Sequence, residues 1–261
     1  MTPKQVLVTG SAGRIGRAAT AALVARGHRV TGFDLKPTPG LASNQCLVGT
    51  LQDVSLLEGA VAGKDVVIHL AATPDDTNYP RKSPPNDGDN FLSEILPNNI
   101  VASYQLMEAA RKAKTPRLVL ASTGQALWHR IEEGPWPVDE TTQYSPRYWY
   151  ACSKVFLEAA GMAYSRAHGL QIVMVRLGWC PRDAGQVAEI EIEKRYQDVF
   201  LSPGDAGRFF IHAVEADPLP PYSLVYATSK PLHVIRYNLR QTRQLLGFEP
   251  QESWPTGALQ E

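Results

Sequence analysis

Neither sign of charge is in excess in this chain: 26 Lys and Arg stand against 26 Asp and Glu. A basic stripe able to hold nucleic acid or an anionic membrane surface is therefore not expected. No apolar run approaches the roughly 18 residues that a membrane-spanning helix requires. Cysteine is scarce. Cys46, Cys152 and Cys180 are odd in number and far apart, which gives neither a disulfide framework nor a zinc spacing. His129, His212 and His233 lack ligand-like spacing too, so no metal is expected. The opening residues Met1 to Gln5 form no basic-then-apolar leader. With reduced cysteines, the expected location is the cytoplasm. Internal repeats and low-complexity tracts are lacking as well.

What is present is an ordinary globular composition, 44% apolar and 20% charged over 261 residues. That length predicts one α/β domain over residues 1–261. Gln5–Thr9 is a short apolar run that ends in glycines, as a buried strand does. Ile15, Ala18, Ala19, Ala22 and Leu23 follow at helical spacing, and Gly27 stops that helix. Arg29–Asp34 is a second strand, which completes one strand–helix–strand crossover. The alternation continues. Residues 54–61 read as a helix, 65–71 as an apolar strand, 98–112 as a helix and 117–121 as a strand. A long helix is predicted over 148–168 and a strand over 171–176. This pattern predicts a Rossmann-like doubly wound parallel sheet with a small C-terminal substrate-binding portion. Two segments break the rhythm: a Pro-rich connection over 74–97, and residues 179–205, with an acidic helical stretch at 188–197. Both follow the carboxyl ends of strands, where open α/β sheets bind ligands.

The turn Thr9-Gly10-Ser11-Ala12-Gly13-Arg14-Ile15-Gly16 spaces its glycines three and three. Gly10 allows the tight turn, Gly13 lets a pyrophosphate approach the backbone, and Gly16 lets the helix pack closely. The helix start supplies free N–H groups and a positive dipole end. Placed between strand and helix, the pattern points to a dinucleotide; a plain glycine turn is the competing explanation. Asp34 ends the second strand, where a carboxylate binds ribose hydroxyls and repels a 2′-phosphate, so NAD is favoured over NADP.

Tyr150 and Lys154 share one face of the predicted helix. A phenol titrates near ~10, and a neighbouring ammonium lowers that value and makes the phenol a usable acid or base. An ordinary surface Tyr–Lys pair would have the same spacing. Ala121-Ser122-Thr123 ends a strand where a hydroxyl could orient a substrate oxygen.

These motifs together resemble the short-chain dehydrogenase/reductase superfamily in its extended, epimerase/dehydratase-like branch. They are joined by Val67-Ile68-His69-Leu70-Ala71-Ala72 and by Asn99 ahead of Leu106-Met107-Glu108-Ala109-Ala110. The resemblance covers nearly the whole chain. It implies catalysis by Thr123, Tyr150 and Lys154. It implies cofactor contacts from Gly10, Ala12, Gly13, Arg14, Ile15, Gly16, Asp34, Leu51, Ala71, Ala72 and Asn99, besides Tyr150 and Lys154. Substrate contacts are implied for Thr73, Thr123, Gly124, Gln125, Trp179 and Arg195. Within the superfamily the chain is similar to the uronate dehydrogenases, through 176–181 (Arg-Leu-Gly-Trp-Cys-Pro), 200–205 (Phe-Leu-Ser-Pro-Gly-Asp) and 245–250 (Leu-Leu-Gly-Phe-Glu-Pro). Those enzymes oxidise the anomeric carbon of a hexuronic acid. It departs from them at Gly124 and Gln125, where they carry asparagine and histidine, and at Trp179, where they carry serine.

The expected activity is thus NAD-dependent oxidation of the anomeric hydroxyl of an acidic hexose, uronate-like or sulfonated, to a lactone. Arg195 is the expected grip on the acid, since a guanidinium suits a carboxylate or sulfonate. It could equally be a solvated charge beside Glu191 and Glu193. Trp179 is either a pocket wall or a core plug, Cys180 a buried inert thiol, and His69 a satisfied core histidine. The alternatives are an NAD-retaining epimerase or dehydratase, and a non-catalytic NAD-binding regulator. The resemblance implies that the helix 148–168, which carries Phe156, Leu157, Ala160 and Met162, pairs with its copy, so a homodimer or higher homo-oligomer is expected.

Overall fold

The computed structural model describes residues 2–74 and 90–258. Seven strands make one sheet: β1 (Gln5–Thr9), β2 (Arg29–Asp34), β3 (Cys46–Val48), β4 (Val66–His69), β5 (Arg117–Thr123), β6 (Gln171–Leu177) and β7 (Tyr222–Ala227). Their order is β3-β2-β1-β4-β5-β6-β7 and every ladder is parallel. The helices are α1 (Arg14–Ala25), α2 (Val54–Val61), α3 (Ala102–Lys112), α4 (Trp128–Glu133), α5 (Trp149–His168), α6 (Ala184–Ile192), α7 (Lys194–Gln197), α8 (Pro203–Glu215) and α9 (Arg240–Leu246). The expected doubly wound α/β sheet is found.

Strand parity explains why both faces are covered. Val6, Val8, Val119, Ala121, Val173 and Val175 point to one side and pack with Ala19 and Leu23 of α1 and Phe209, Phe210 and Ala213 of α8. Leu7, Leu118, Leu120, Ile172 and Met174 point to the other and pack with α2, α3 and α5. Each such side chain withdrawn from water stabilises by about 1.5–3 kcal/mol. A parallel sheet therefore needs apolar residues at both parities, and its strands read as unbroken apolar runs.

Several expectations are adjusted. The helix expected from residue 98 begins at Phe91. Its first part, Phe91–Val101, is wider than an α-helix: Ile95 N–H donates to Asn90 O at 3.1 Å, and Ala102 N–H donates to Pro97 O. Pro97 has no N–H and marks a helix boundary by its local chemistry, but the wide segment carries it inside. Residues 91–97 of the expected connection are therefore helical, whereas 75–89 lie outside the described residues. The acidic stretch is two helices, α6 and α7, broken at Glu193. Strands β3 and β7 and helices α4, α8 and α9 come in addition to the predicted elements. Among the described residues no helix is long and apolar enough to cross a membrane.

Candidate active site

Strand order reverses at β1 and β4, and the loops leaving those two strands open a crevice between them. Gly10 turns the chain off β1 at φ +69°, and a Cβ there would lie 2.5 Å from Ala71 N. A Cβ on Gly16 would lie 2.1 Å from Gly10 O, so α1 can sit this close to the turn only with glycine. Gly13 caps α1 with no side-chain bond, and the first turn holds no acid. A helix start with neither a side-chain cap nor an acid suits an anion. Asp34 sits behind the turn, its Oδ2 accepting from Ala12 N–H at 3.0 Å. Gly10, Gly13, Arg14, Ile15 and Gly16 all line the cleft. Arg14 is also tied down, since Nη2 donates to Gly257 O (2.7 Å) and Ala258 O (3.0 Å). A side-chain-free cradle backed by a carboxylate fits the pyrophosphate and ribose of a dinucleotide.

A buried relay fixes the crevice from behind. His69 bonds through Nδ1 to Thr9 Oγ1 (2.8 Å) and through Nε2 to Ser103 Oγ (3.1 Å). Ser103 donates its one proton to Asn99 O at 2.5 Å, so Nε2 carries the imidazole proton and Nδ1 accepts from Thr9. Burial, and then the Lys154 charge, push the imidazole down to about 3, so it is neutral. His69 is the satisfied core histidine expected. Asn99 clamps Thr73 by both backbone groups (2.8 Å each) and donates to Ser153 Oγ at 3.1 Å. Thr73 Oγ1 accepts from Asn98. Ala72 lines the cleft. Ala71 abuts Gly10, and Leu51 packs on the core beneath α2.

The carboxyl end of β5 supplies Thr123, whose Oγ1 accepts from Gln125 N–H at 3.2 Å and caps the turn 124–127. Gly124 has no room for a side chain: its Cβ would fall 1.8 Å from Tyr237 Oη. Across from this turn α5 brings Tyr150 and Lys154 to the same cleft. Lys154 is buried, donates from Nζ to Ala121 O at 3.0 Å, and lies 5.6 Å from the centre of the Tyr150 ring. Burial pushes its ammonium down to about 8, so it is charged at neutral pH. One turn further along α5, Glu158 forms a buried two-bond pair with Arg176 (2.9 and 2.8 Å) and accepts from Ser122 Oγ at 2.5 Å. This ties α5 to the ends of β5 and β6.

The cleft has a volume of about 900 Å³. Trp179 lines it, with its ring 4.9 Å from that of Tyr196, while also packing on the cluster of Ile190, Phe200 and Trp254. Trp179 thus stands at the boundary between the cleft and that cluster. Cys180 is buried at the cleft wall, where burial pushes its thiol up to about 11 against the pull of Arg14. Arg195 lines the cleft but is engaged, with Nη1 3.2 Å from Glu132 and Nε 3.4 Å from Glu193. Trp128, Arg147, Tyr196 and Tyr237 also line the cleft. The sequence reading missed them, because they lie on irregular or short segments with no periodic signal. No group of metal-ligating side chains occurs among the described residues.

Glycine cradle, acidic partner, buried lysine and tyrosine together define a nucleotide-dependent enzyme of the short-chain dehydrogenase/reductase class. Residues 6–179 match the NAD dependent epimerase/dehydratase family, and the chain belongs to it. It is an NAD-dependent enzyme acting on a CH–OH group. The chain is 31% identical over 266 residues to the L-arabinose 1-dehydrogenase (NAD(P)(+)) of Haloferax volcanii, covering 97% of this chain and 98% of that protein. It is 29% identical over 178 residues to the uronate dehydrogenase of Agrobacterium fabrum, covering 68% and 62%. Among solved structures, a glucuronic acid dehydrogenase from Chromohalobacter salexigens superposes with a TM-score of 0.75 at 26% identity, covering 98% of this chain and 87% of that one.

Proposed function

We propose that this chain oxidises the anomeric hydroxyl of a free acidic hexose to the lactone, with Tyr150 as general base. The observation that carries this is the buried Lys154 ammonium, 5.6 Å from the Tyr150 ring in the cleft that begins at the glycine turn. Bound NAD supplies a hydride acceptor. The residues of the chain handle the proton and the orientation. Thr123 holds the substrate oxygen from the end of β5. Tyr150 takes the hydroxyl proton as the C–H bond breaks, and the Lys154 cation favours the phenolate that makes this possible. Asp34, with one oxygen on Ala12 N–H, keeps the other for the ribose hydroxyls. Gly10 to Gly16 receive the pyrophosphate. Asn99 acts at one remove, through Thr73 and Ser153. The similarity to a 1-dehydrogenase of arabinose supports reaction at the anomeric carbon, and that to uronate and glucuronic acid dehydrogenases supports an acidic sugar.

Tyr150→Phe should abolish turnover while NAD binding, followed by fluorescence titration, persists; retained turnover overturns the assignment. Net NADH formed from a free sugar separates a dehydrogenase from an NAD-retaining epimerase or dehydratase, which forms none. Residues 1–261 are proposed to work as one cytoplasmic domain. The proposed assembly is a homodimer formed through α5 and its neighbour α3, where Tyr104 and Phe156 are exposed.

A further inference from the structure

Among the described residues five cations line the cleft: Arg14, Arg147, Lys154, Arg182 and Arg195. Arg14 donates to two carbonyls and Lys154 to Ala121 O, and Arg195 is ion-paired with Glu132 and Glu193, although Nε of Arg14 and of Arg195 makes no hydrogen bond. Arg182 stands exposed at the rim. Arg147 differs from all of these. It is half-buried, with Cζ 5.9 Å from the Trp128 ring centre and 5.3 Å from that of Tyr148. Among the described residues no carboxylate or carbonyl accepts from it. Stacking occupies the faces of a guanidinium and leaves its in-plane N–H donors free. Beside it, Trp128 Nε1 is a buried donor that also lacks an acceptor. Two neighbouring donors held without acceptors in a cleft leave an unsatisfied demand that an oxyanion would meet.

We propose that Arg147, stacked on Trp128 and Tyr148, is the residue that binds the anionic group of the sugar, and that Arg195 is not. This rests on the dehydrogenase function proposed above and assigns its specificity. Arg195 has its charge met by two acids of the protein, so a sugar oxyanion would have to displace them and leave Glu132 unpaired. Arg147 needs no such exchange. Its place three residues before Tyr150 puts the grip on the segment that leads into the catalytic helix.

The test is calorimetric titration of the NAD-loaded protein with glucuronate, glucose 6-phosphate, 6-deoxy-6-sulfoglucose and glucose, alongside NADH formation from each. At least one acid should bind more tightly than glucose, and the three acids tell carboxylate, phosphate and sulfonate apart. Arg147→Gln should weaken that acid's binding roughly ten- to a hundred-fold, the worth of a charged hydrogen bond. Arg147→Lys should restore part of the loss, and Arg195→Gln should leave the preference for acid over glucose in place. If Arg195→Gln carries the loss, if Arg147→Gln carries none, or if no acid binds better than glucose, the assignment is wrong. If acids bind in an Arg147-dependent way but no sugar yields NADH, Arg147 stands and the dehydrogenase function falls.

Discussion

His69 and Lys154 are both buried ionisable groups, yet burial acts on them at different pH. An unfolded chain protonates histidine near 6.5, whereas the folded imidazole resists until about 3. The unfolded state therefore binds more protons between those values, and stability falls as the pH drops from 6.5 towards 3. Lys154 has its window from about 8 to 10.5. There the folded chain has already lost its proton and the unfolded chain has not, so stability rises with pH. Denaturant unfolding followed between pH 4 and 7 (roughly the span in which an unfolded histidine titrates) should show this slope flattened in His69→Gln. An unchanged slope would place the acid sensitivity elsewhere. The same sites show how far residue types speak for themselves. Gly10, Gly16, Tyr150 and Lys154 could be picked out in the sequence because each pair has a fixed spacing within one turn or one helix, and Asp34 because it ends the next strand of the same crossover. Arg147 could not, because its isolation is a property of what surrounds it.

At the scale of elements, α5 is the member on which the site depends. Tyr150 and Lys154 face the cleft from its first turns, and Glu158 anchors it to Arg176 of β6 and Ser122 of β5. This pair is 0% and 1% exposed at its side chains. Removing one partner of such a pair strands a buried charge and costs about 3–5 kcal/mol. Glu158→Leu should therefore lower the denaturation midpoint sharply, and a loss below ~1 kcal/mol would mean the pair is solvated in solution. Element by element, the buried strands and α1 matched their sequence patterns because a two-faced parallel sheet makes each strand a run of apolar residues. The helix at Phe91 was mis-set because Pro97 signals a boundary locally, while packing against α5 and α3 carries the helix through it. Helix α8 was missed, although Ser202 accepts from Asp205 N–H as its N-cap and Pro203 opens its first turn.

For the whole molecule, the crevice and the outer face of α5, proposed above as a dimer surface, are separate surfaces. Leu157 is buried in the core beneath α5, Ala160 packs against that core, and Phe156 remains 37% exposed. The proposed dimer thus has less apolar surface on this helix than the side-chain pattern implied, and draws on Tyr104 of α3 as well. Light scattering on the intact protein should give twice the mass of one 28.7 kDa chain, and Phe156→Glu should shift it towards the monomer. A monomeric wild type would remove the dimer from consideration without touching the site.

The alternation of apolar runs with helical periods, together with a glycine turn and a Tyr–Lys pair, is local information, carried by residues a few positions apart. It was enough to determine the class of sheet and the cofactor, and to single out the pair proposed above as catalytic. Which cation is spent and which is left over was decided only in three dimensions. Arg195 meets Glu132 across more than sixty residues of chain, and Arg147 is held by Trp128 from a separate segment. Charge compensation depends on distances in space, and no spacing along the chain encodes them.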